Sequence, residues 1–409
     1  MYDLVIIGAG PAGMAASHKA VDRGLKVCLI EQGSIGGVCL NRGCMPTKFY
    51  IHRLHQPETL EGLYEHKGKL ISRLSTAAEK TLSSRGIRIV KGRASFVSSS
   101  CVTVNQEQIE SRNFLIASGS SPRRFSFLSG TNIVDPETFL LEPVTGDDFL
   151  IVGAGVIGIE YAFMLSLAGK KVTLVEKENR ILPGFDIDVV QKITQLLKKR
   201  KIKLMLSHDI REMKPDEYSK VIVAAGRVPS VIDGLDRTGV EVTDDGWIKT
   251  DKYLRTSVPE IFACGDVRGA YLYAYAAERE GEIAVDNISG VQREFNPQLM
   301  PACVFAAPQA AMVGSTQSEL DAGGIKYKLF LKQNIALSSS HVYEDKDGFF
   351  KVLIGEDGRV LGAHIVSNNA VDLIGYYAIC IAHGITFDSL CETYFIHPSM
   401  SEMITGVFR

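Results

Sequence analysis

One pattern occurs twice in this chain and fixes most of what the chain can fold into. Leu4-Val5-Ile6-Ile7-Gly8-Ala9-Gly10-Pro11-Ala12-Gly13 returns as Leu150-Ile151-Val152-Gly153-Ala154-Gly155-Val156-Ile157-Gly158. Each copy reads as an apolar strand, a Gly-x-Gly-x-x-Gly turn and a helix. A second apolar strand ending in an acid follows, Lys26 to Glu31 in one case and Lys171 to Glu176 in the other. Both acids stand 23 residues beyond the first glycine of their copy. The first glycine permits the tight turn, the second lets a pyrophosphate approach the backbone, and the third lets helix and strand pack closely. Pyrophosphate then sits on the unpaired amides of the helix N-terminus, and the acid accepts from ribose hydroxyls. One such fingerprint is weak evidence. Two in the same register predict two dinucleotide sites on doubly wound α/β sheets.

A second echo follows each copy. Phe114-Leu115-Ile116-Ala117-Ser118-Gly119 and Val221-Ile222-Val223-Ala224-Ala225-Gly226 both read as buried parallel strands closing on small-residue turns. Ile261-Phe262-Ala263-Cys264-Gly265-Asp266 is a further strand, ending in Gly-Asp before a helix expected near 272–288. Asp266 is either a helix-start acid favoured by the macrodipole or an acceptor for a cofactor's polyol chain.

Between the first acid and residue 49 lies Gly36-Gly37-Val38-Cys39-Leu40-Asn41-Arg42-Gly43-Cys44-Met45-Pro46-Thr47-Lys48. Two cysteines five positions apart, with small residues before and between them, can close a disulfide across a distorted helical turn. Half of a zinc site is the competing reading, but zinc needs four ligands and no second Cys or His pair stands at ligand spacing. A redox-active disulfide beside a nucleotide turn points to electron transfer through sulfur.

The 409 residues imply two or three domains and a core large enough to need no stabilising disulfides. The eight cysteines show no secreted-scaffold spacing, which fits a reducing, cytoplasmic compartment. A formal charge of −2 lacks the electrostatic footprint of a nucleic-acid binder. Met1 runs directly into the first strand, so no leader peptide is expected, and no uncharged apolar run reaches membrane-spanning length.

From about residue 298 the texture becomes α+β. Pro301 to Val313, Tyr327 to Leu331, Phe349 to Ile354 and His364 to Val366 read as strands of an antiparallel sheet. Asp347-Gly348 and Asp357-Gly358 read as hairpin turns, and Ala370 to His383 as a helix stopped by Gly384. His397-Pro398-Ser399-Met400-Ser401-Glu402 carries chemistry. Pro398 keeps His397 out of any helix, and Glu402 can accept from the imidazole and raise its basicity. The same residues spell a Ser-x-x-Glu capping box, in which Glu402 has a structural job only. The other eight histidines have no comparable partner in the local sequence.

Together these segments resemble the class I flavoprotein disulfide reductases from Met1 to about Glu402, and within them the dihydrolipoamide dehydrogenase branch. The resemblance implies two Rossmann-like dinucleotide-binding domains and an α+β dimerisation domain. FAD would occupy a domain of residues 1–145 and 251–297, and NAD a domain of residues 146–250. Residues 298–409 would form the interface of a homodimer. It implies FAD on Gly8, Gly10, Gly13 and Glu31, with Gly37, Lys48, Ala94, Ser118, Gly119, Asp266 and Ala274 as further contacts. It implies NAD on Gly153, Gly155, Gly158 and Glu176, with Gly226 nearby and Glu160 paired to Lys48. Cys39 would be the outer sulfur, attacked by substrate, and Cys44 the inner sulfur, facing the flavin. His397 and Glu402 would serve the partner subunit's disulfide, which favours catalysis over capping.

The implied activity is oxidation of dihydrolipoamide on a lipoyl-bearing protein of a 2-oxo acid dehydrogenase or glycine cleavage type system, with reduction of NAD⁺. A reductase of another disulfide, or a flavin-bearing scaffold without turnover, are the alternatives. A scaffold needs none of Cys39, Cys44, His397 and Glu402. The C-terminus Thr405-Gly406-Val407-Phe408-Arg409 carries none of the extra cysteines of mercuric reductases or large thioredoxin reductases. Glu176 repels the 2′-phosphate of NADP, although Lys177 adjoins it. Departures from the family pattern are two shortened stretches, between Phe49 and Ile87 and between Lys203 and Val221. Ala307-Pro308-Gln309 and Tyr275 also replace the usual residues.

Overall fold

The first strand, Tyr2–Ile7, lies at the centre of a sheet because its apolar run is buried on both faces. The computed structural model describes all of residues 1–409 except 55, 57 and 58. It divides into two units. One comprises residues 1–130, 134–144 and 226–295, the other residues 131–133, 145–225 and 296–409. Residues 226–250 thus lie in the first unit.

In the first unit Tyr2–Ile7 pairs in parallel with Val27–Glu31 on one side and with Glu107–Ile116 on the other. Val27–Glu31 continues to Arg88–Lys91, and Glu107–Ile116 continues to Ile261–Ala263, both parallel. The N-terminal half of Glu107–Ile116 turns antiparallel to Cys101–Val104, which pairs with Ser95–Ser98. Helices Pro11–Asp22 and Ala274–Ile288 cover one face, sharing a core with Leu4, Ile6, Leu29, Leu115 and Phe262. Val5, Ile7, Phe96, Phe114 and Ile116 fill the other face. Between Phe49 and Ile87 the chain is mostly one helix, Leu60–Ser84.

In the second unit four strands lie in the order Lys203–Met205, Lys171–Val175, Asp148–Val152, Lys220–Val223, all parallel. Val156–Leu167 and Ile187–Lys199 are its main helices. Between Lys203 and Val221 stand one three-residue strand and two single 3₁₀ turns, Ile210–Glu212 and Pro215–Glu217. The C-terminal sheet is antiparallel, in the order Ala302–Val304, Gln309–Gly314, Val360–Ser367, Phe349–Gly355, Tyr327–Gln333. Helix Ala370–His383 packs on it through Leu373, Ile374 and Tyr377 and ends at Gly384 in the left-handed region.

One of the two hairpin expectations is corrected. Asp357-Gly358 does close a hairpin, but Asp347-Gly348 does not. The chain leaves Tyr327–Gln333 through a 3₁₀ turn and the helix Ser338–Val342 before reaching Phe349. Gly348 is there because a Cβ would lie 1.9 Å from the Val366 carbonyl oxygen. Among the described residues no helix is long and apolar enough to cross a membrane.

Candidate active site

The two glycine turns are alike at the level of single atoms. Gly8 and Gly153 have φ of +107° and +100°, which a side chain rarely adopts. A Cβ on Gly13 would lie 1.8 Å from the Gly8 carbonyl oxygen, and one on Gly158 the same 1.8 Å from that of Gly153. Those contacts press each helix onto its strand. A Cβ on Gly10 or Gly155, by contrast, would meet no protein atom within 4 Å. The central glycine of each turn therefore faces space at a helix N-terminus, where a pyrophosphate fits.

The acids complete each cradle. Glu31 accepts from Ala9 N at 2.6 Å and from Gly33 N at 2.6 Å. Glu176 accepts from Ala154 N at 2.6 Å and from Glu178 N at 2.9 Å. Each carboxylate fixes its turn and keeps lone pairs for a ribose hydroxyl. Arg180, the cation four residues beyond Glu176, donates to the Phe185 carbonyl at 2.7 Å.

The cysteine segment grows out of the first turn. Gly36 N donates to Ala9 O at 2.8 Å, and a Cβ on Gly37 would lie 2.8 Å from Gly10 Cα. Helix Gly37–Arg42 carries Cys39 and helix Cys44–Arg53 opens with Cys44, the break falling at Gly43. Asn41 clamps the entry, donating to Ile35 O at 3.0 Å and Gly37 O at 2.8 Å. Both cysteines are half-buried thiols, and they share a side-chain hydrogen bond. That bond, helped by burial, drives the Cys39 pKa well up against the opposing pull of Lys48.

The remaining candidates of the first unit surround this frame. Ala94 is buried at the start of Ser95–Ser98, and Ala274 opens its helix. Ser118 donates to Ser230 O at 2.8 Å, and Gly119 is left-handed with open space where a Cβ would stand. Asp266 lies in a 3₁₀ turn, Gly265–Arg268, well before helix Ala274–Ile288, so it is no start acid for that helix. It accepts from Ser120 Oγ at 2.6 Å. Gly226 is left-handed beside Arg123.

In the second unit Glu160 is buried and accepts from Phe305 N at 3.2 Å. His397 stands on a loop with its side chain 69% exposed, and its Nδ1 lies 2.9 Å from Glu402 Oε1. Glu402 Oε2 accepts from Ser399 N at 3.0 Å. The carboxylate makes both contacts at once, one oxygen on the imidazole and the other capping the turn. Burial opposes its ionisation, but the Ser399 amide and His397 outweigh that and hold its pKa low. In a neutral imidazole that donates Nδ1–H to this carboxylate, Nε2 carries the lone pair. The sequence reading missed Asn41, Ser120, Glu137 and Arg227. Asn41 sits inside the motif, whereas the other three have partners too distant in the chain for local spacing to expose.

Comparison with known proteins supports these parts jointly. The profile described as pyridine nucleotide-disulphide oxidoreductase matches residues 2–281, and that family's dimerisation domain matches residues 300–407. The dihydrolipoyl dehydrogenase of Chlorobaculum parvum is 32% identical over 98% of this chain and 95% of its own. That of Vibrio parahaemolyticus is 30% identical over 98% and 94%. Among solved structures, the Cu(II) complex of the HOCl-induced flavoprotein disulfide reductase RclA of Escherichia coli superposes with a TM-score of 0.94. It is 25% identical and covers 100% of this chain and 98% of its own. FAD and NAD(H) are the cofactors this membership brings, and the paired cradles fit two dinucleotides. With glycine turns, acids, cysteine pair and dimerisation domain all in place, the chain belongs to the pyridine nucleotide-disulphide oxidoreductase family.

Proposed function

We propose that this protein is an NAD-dependent dihydrolipoamide dehydrogenase acting as a homodimer. The observation that carries the reading is the His397–Glu402 pair at 2.9 Å, a base with its tautomer set, in a chain that also holds a hydrogen-bonded Cys39–Cys44 pair. The full-length similarity to dihydrolipoyl dehydrogenases supports it. FAD would be held by the residues of the first turn with Lys48, Ser118, Gly119 and Asp266, in a domain of residues 1–145 and 251–297. NAD would be held by the glycines of the second turn with Glu176, in a domain of residues 146–250, and residues 298–409 would form the dimer interface.

His397 Nε2 removes a proton from one thiol of dihydrolipoamide, a service worth roughly 10²–10⁴ in rate. The thiolate attacks Cys39 Sγ of the oxidised pair, and Cys44 leaves as a thiolate. The second lipoyl thiol then displaces Cys39 from the mixed disulfide, releasing lipoamide and leaving both cysteines reduced. That displacement is intramolecular, so a vicinal dithiol outruns two separate thiols. When bound, the flavin supplies two-electron acceptance from the dithiol and hydride delivery to NAD⁺. Glu176 and the inward-turned Arg180 support NAD over NADP. The lipoyl group would be presented by a protein of a 2-oxo acid dehydrogenase or glycine cleavage type system, in a reducing cytoplasm that suits eight thiols.

The likeness to a disulfide reductase of another kind favours one second reading, reduction of a different disulfide at the expense of a nicotinamide. Stopped-flow reduction of the oxidised enzyme by dihydrolipoamide decides between them. The first reading expects rapid reduction, slowed by two or more orders of magnitude in His397→Ala, with NADH-to-quinone turnover nearly intact. Negligible reduction by dihydrolipoamide, with rapid NADH-driven reduction of another disulfide, would overturn it. Mixing His397→Ala chains with Cys44→Ser chains tests the shared site, since heterodimers regain activity only if His397 serves the other copy.

A further inference from the structure

Asp266 is held by a chain of hydrogen bonds with a single polarity. Strands Ser120–Pro122 and Arg227–Pro229 form a two-stranded antiparallel ribbon within the first unit. Arg227, its side chain 12% exposed, donates from Nε to Ser120 Oγ at 2.6 Å and from Nη2 to Ser120 O at 2.7 Å. The same Nη2 donates to Glu137 Oε1 at 2.8 Å. A guanidinium has no lone pair to offer. The Ser120 hydroxyl must therefore accept from Arg227 and pass its own proton onward, to Asp266 Oδ2 at 2.6 Å. That commits one oxygen of Asp266 to the protein and leaves the other for a ligand hydroxyl.

We propose that Ser120 and Arg227 are positioning residues for flavin binding, which lock Asp266 as an aimed acceptor for the cofactor's polyol chain, with Glu137 as their anchor. The proposal rests on the assignment of Asp266 to the flavin. Several features give it content beyond packing. Burial pushes the Asp266 carboxyl up, and the Ser120 hydroxyl and then Arg227 pull it back down. Without those donors the group takes up a proton at higher pH and loses acceptor strength. The charged groups facing Asp266 are Arg227, at 3.9 Å, and Glu280 on helix Ala274–Ile288. Glu280 is itself tied to Arg268, and it accepts from Gly265 N at 2.7 Å, which fixes the backbone just before Asp266. The segment bearing Glu137 is pinned in turn. Asp135 accepts from Thr138 N at 2.8 Å, and the buried Lys67 donates to Leu140 O at 2.5 Å.

Flavin retention by the purified holoenzyme tests this. Flavin fluorescence is read on dilution and at descending pH in Asp266→Asn, Ser120→Ala, Ser120→Thr and Arg227→Met. Asp266→Asn should weaken retention about tenfold or more, the worth of a hydrogen bond to a charged group. Ser120→Ala and Arg227→Met should each weaken it by a comparable factor and move acid release of flavin to higher pH. Ser120→Thr, which keeps the hydroxyl, should restore both. Ser120→Ala added to Asp266→Asn should lose no more than Asp266→Asn alone, because both act through one carboxylate. If Asp266→Asn loses flavin while Ser120→Ala and Arg227→Met retain it with an unshifted acid release, the positioning role is wrong and the Asp266 assignment stands. If Asp266→Asn retains flavin as the parent does, the assignment falls and the proposal with it.

Discussion

The two glycine turns share a backbone down to a third hydrogen bond, and what hangs from that bond differs. After each acid the chain doubles back to the alanine between the first two glycines. Gly36 N reaches Ala9 O at 2.8 Å, and Leu182 N reaches Ala154 O at 2.9 Å. From Gly36 the chain runs straight into the helix of Cys39. From Leu182 it runs to Asp186, which caps helix Ile187–Lys199 and is buried with Lys351. Lys351 Nζ lies 2.8 Å from Asp186 Oδ1, 2.6 Å from Asp188 Oδ2 and 2.9 Å from Gln317 Oε1. One frame is wired to redox sulfur and the other to a buried ion cluster, so the fingerprint specifies a cradle and leaves its use to the next ten residues.

The largest effect should come from cutting the redox branch. Cys39→Ser or Cys44→Ser should bring dihydrolipoamide turnover to background while fold, flavin content and NADH-to-quinone activity persist. Substantial lipoyl turnover in either variant would show that the first turn carries no obligatory sulfur chemistry. Cutting the other branch should instead register as stability. Lys351→Met strands Asp186 and Asp188 without their buried cation, which costs about 3–5 kcal/mol. Denaturant midpoints check this, and an unchanged midpoint would mean that the cluster does not hold the second unit together.

The glycines within a turn separate fold from ligand. Gly158→Ala drives a Cβ into the Gly153 carbonyl and should cost about 1–3 kcal/mol. Gly155→Ala meets no protein atom, so stability should hold within about 0.5 kcal/mol. NADH affinity should nevertheless fall at least about tenfold, because the methyl occupies the space of the pyrophosphate. Calorimetry on both variants checks the split, and equal stability losses would contradict the reading of Gly155 as facing a ligand.

How much of this was legible beforehand follows the range of the forces involved. Both cradles, the cysteine pair and His397 with Glu402 are local, so residue spacing revealed them. In sequence Glu402 reads as either an imidazole partner or a cap, whereas a carboxylate has two oxygens and the structure uses one for each contact. Asp347-Gly348 misled because a Gly dictated by the nearby Val366 carbonyl looks the same in sequence as a Gly dictated by a hairpin. Ser120, Glu137 and Arg227 stayed hidden because only the tertiary fold brings their partners together. His364 did so too. It has no partner in the local sequence, yet it lies fully buried with Nε2 3.8 Å from Asp186 Oδ2.

That histidine gives the smallest and sharpest test of the second branch. Burial pulls the His364 pKa down from its ordinary 6.5 to about 4, Asp186 opposing the fall and Lys351 adding to it. Folded His364 thus stays neutral where the unfolded chain takes up a proton. Between pH 6.5 and 4 the unfolded state binds more protons, so stability rises with pH through that window and is lost on acidification. The contribution is fully present above pH 6.5 and costs about 2 kcal/mol by pH 5. Asp186 is held ionised despite its burial, by His364 once that ring is protonated and by Lys351 throughout, and it surrenders its own share only at lower pH. His364→Gln removes the titration while keeping a polar side chain, so it should flatten unfolding free energy between pH 7 and 5 relative to the parent. The cysteine branch has no part in this, and thiol reactivity of Cys39 and Cys44 should follow the same pH course in both proteins. Parallel stability curves for parent and variant would mean that folded His364 takes up its proton over the same pH range as the unfolded chain, so that the buried cluster carries a second positive charge beside Lys351 at pH 5.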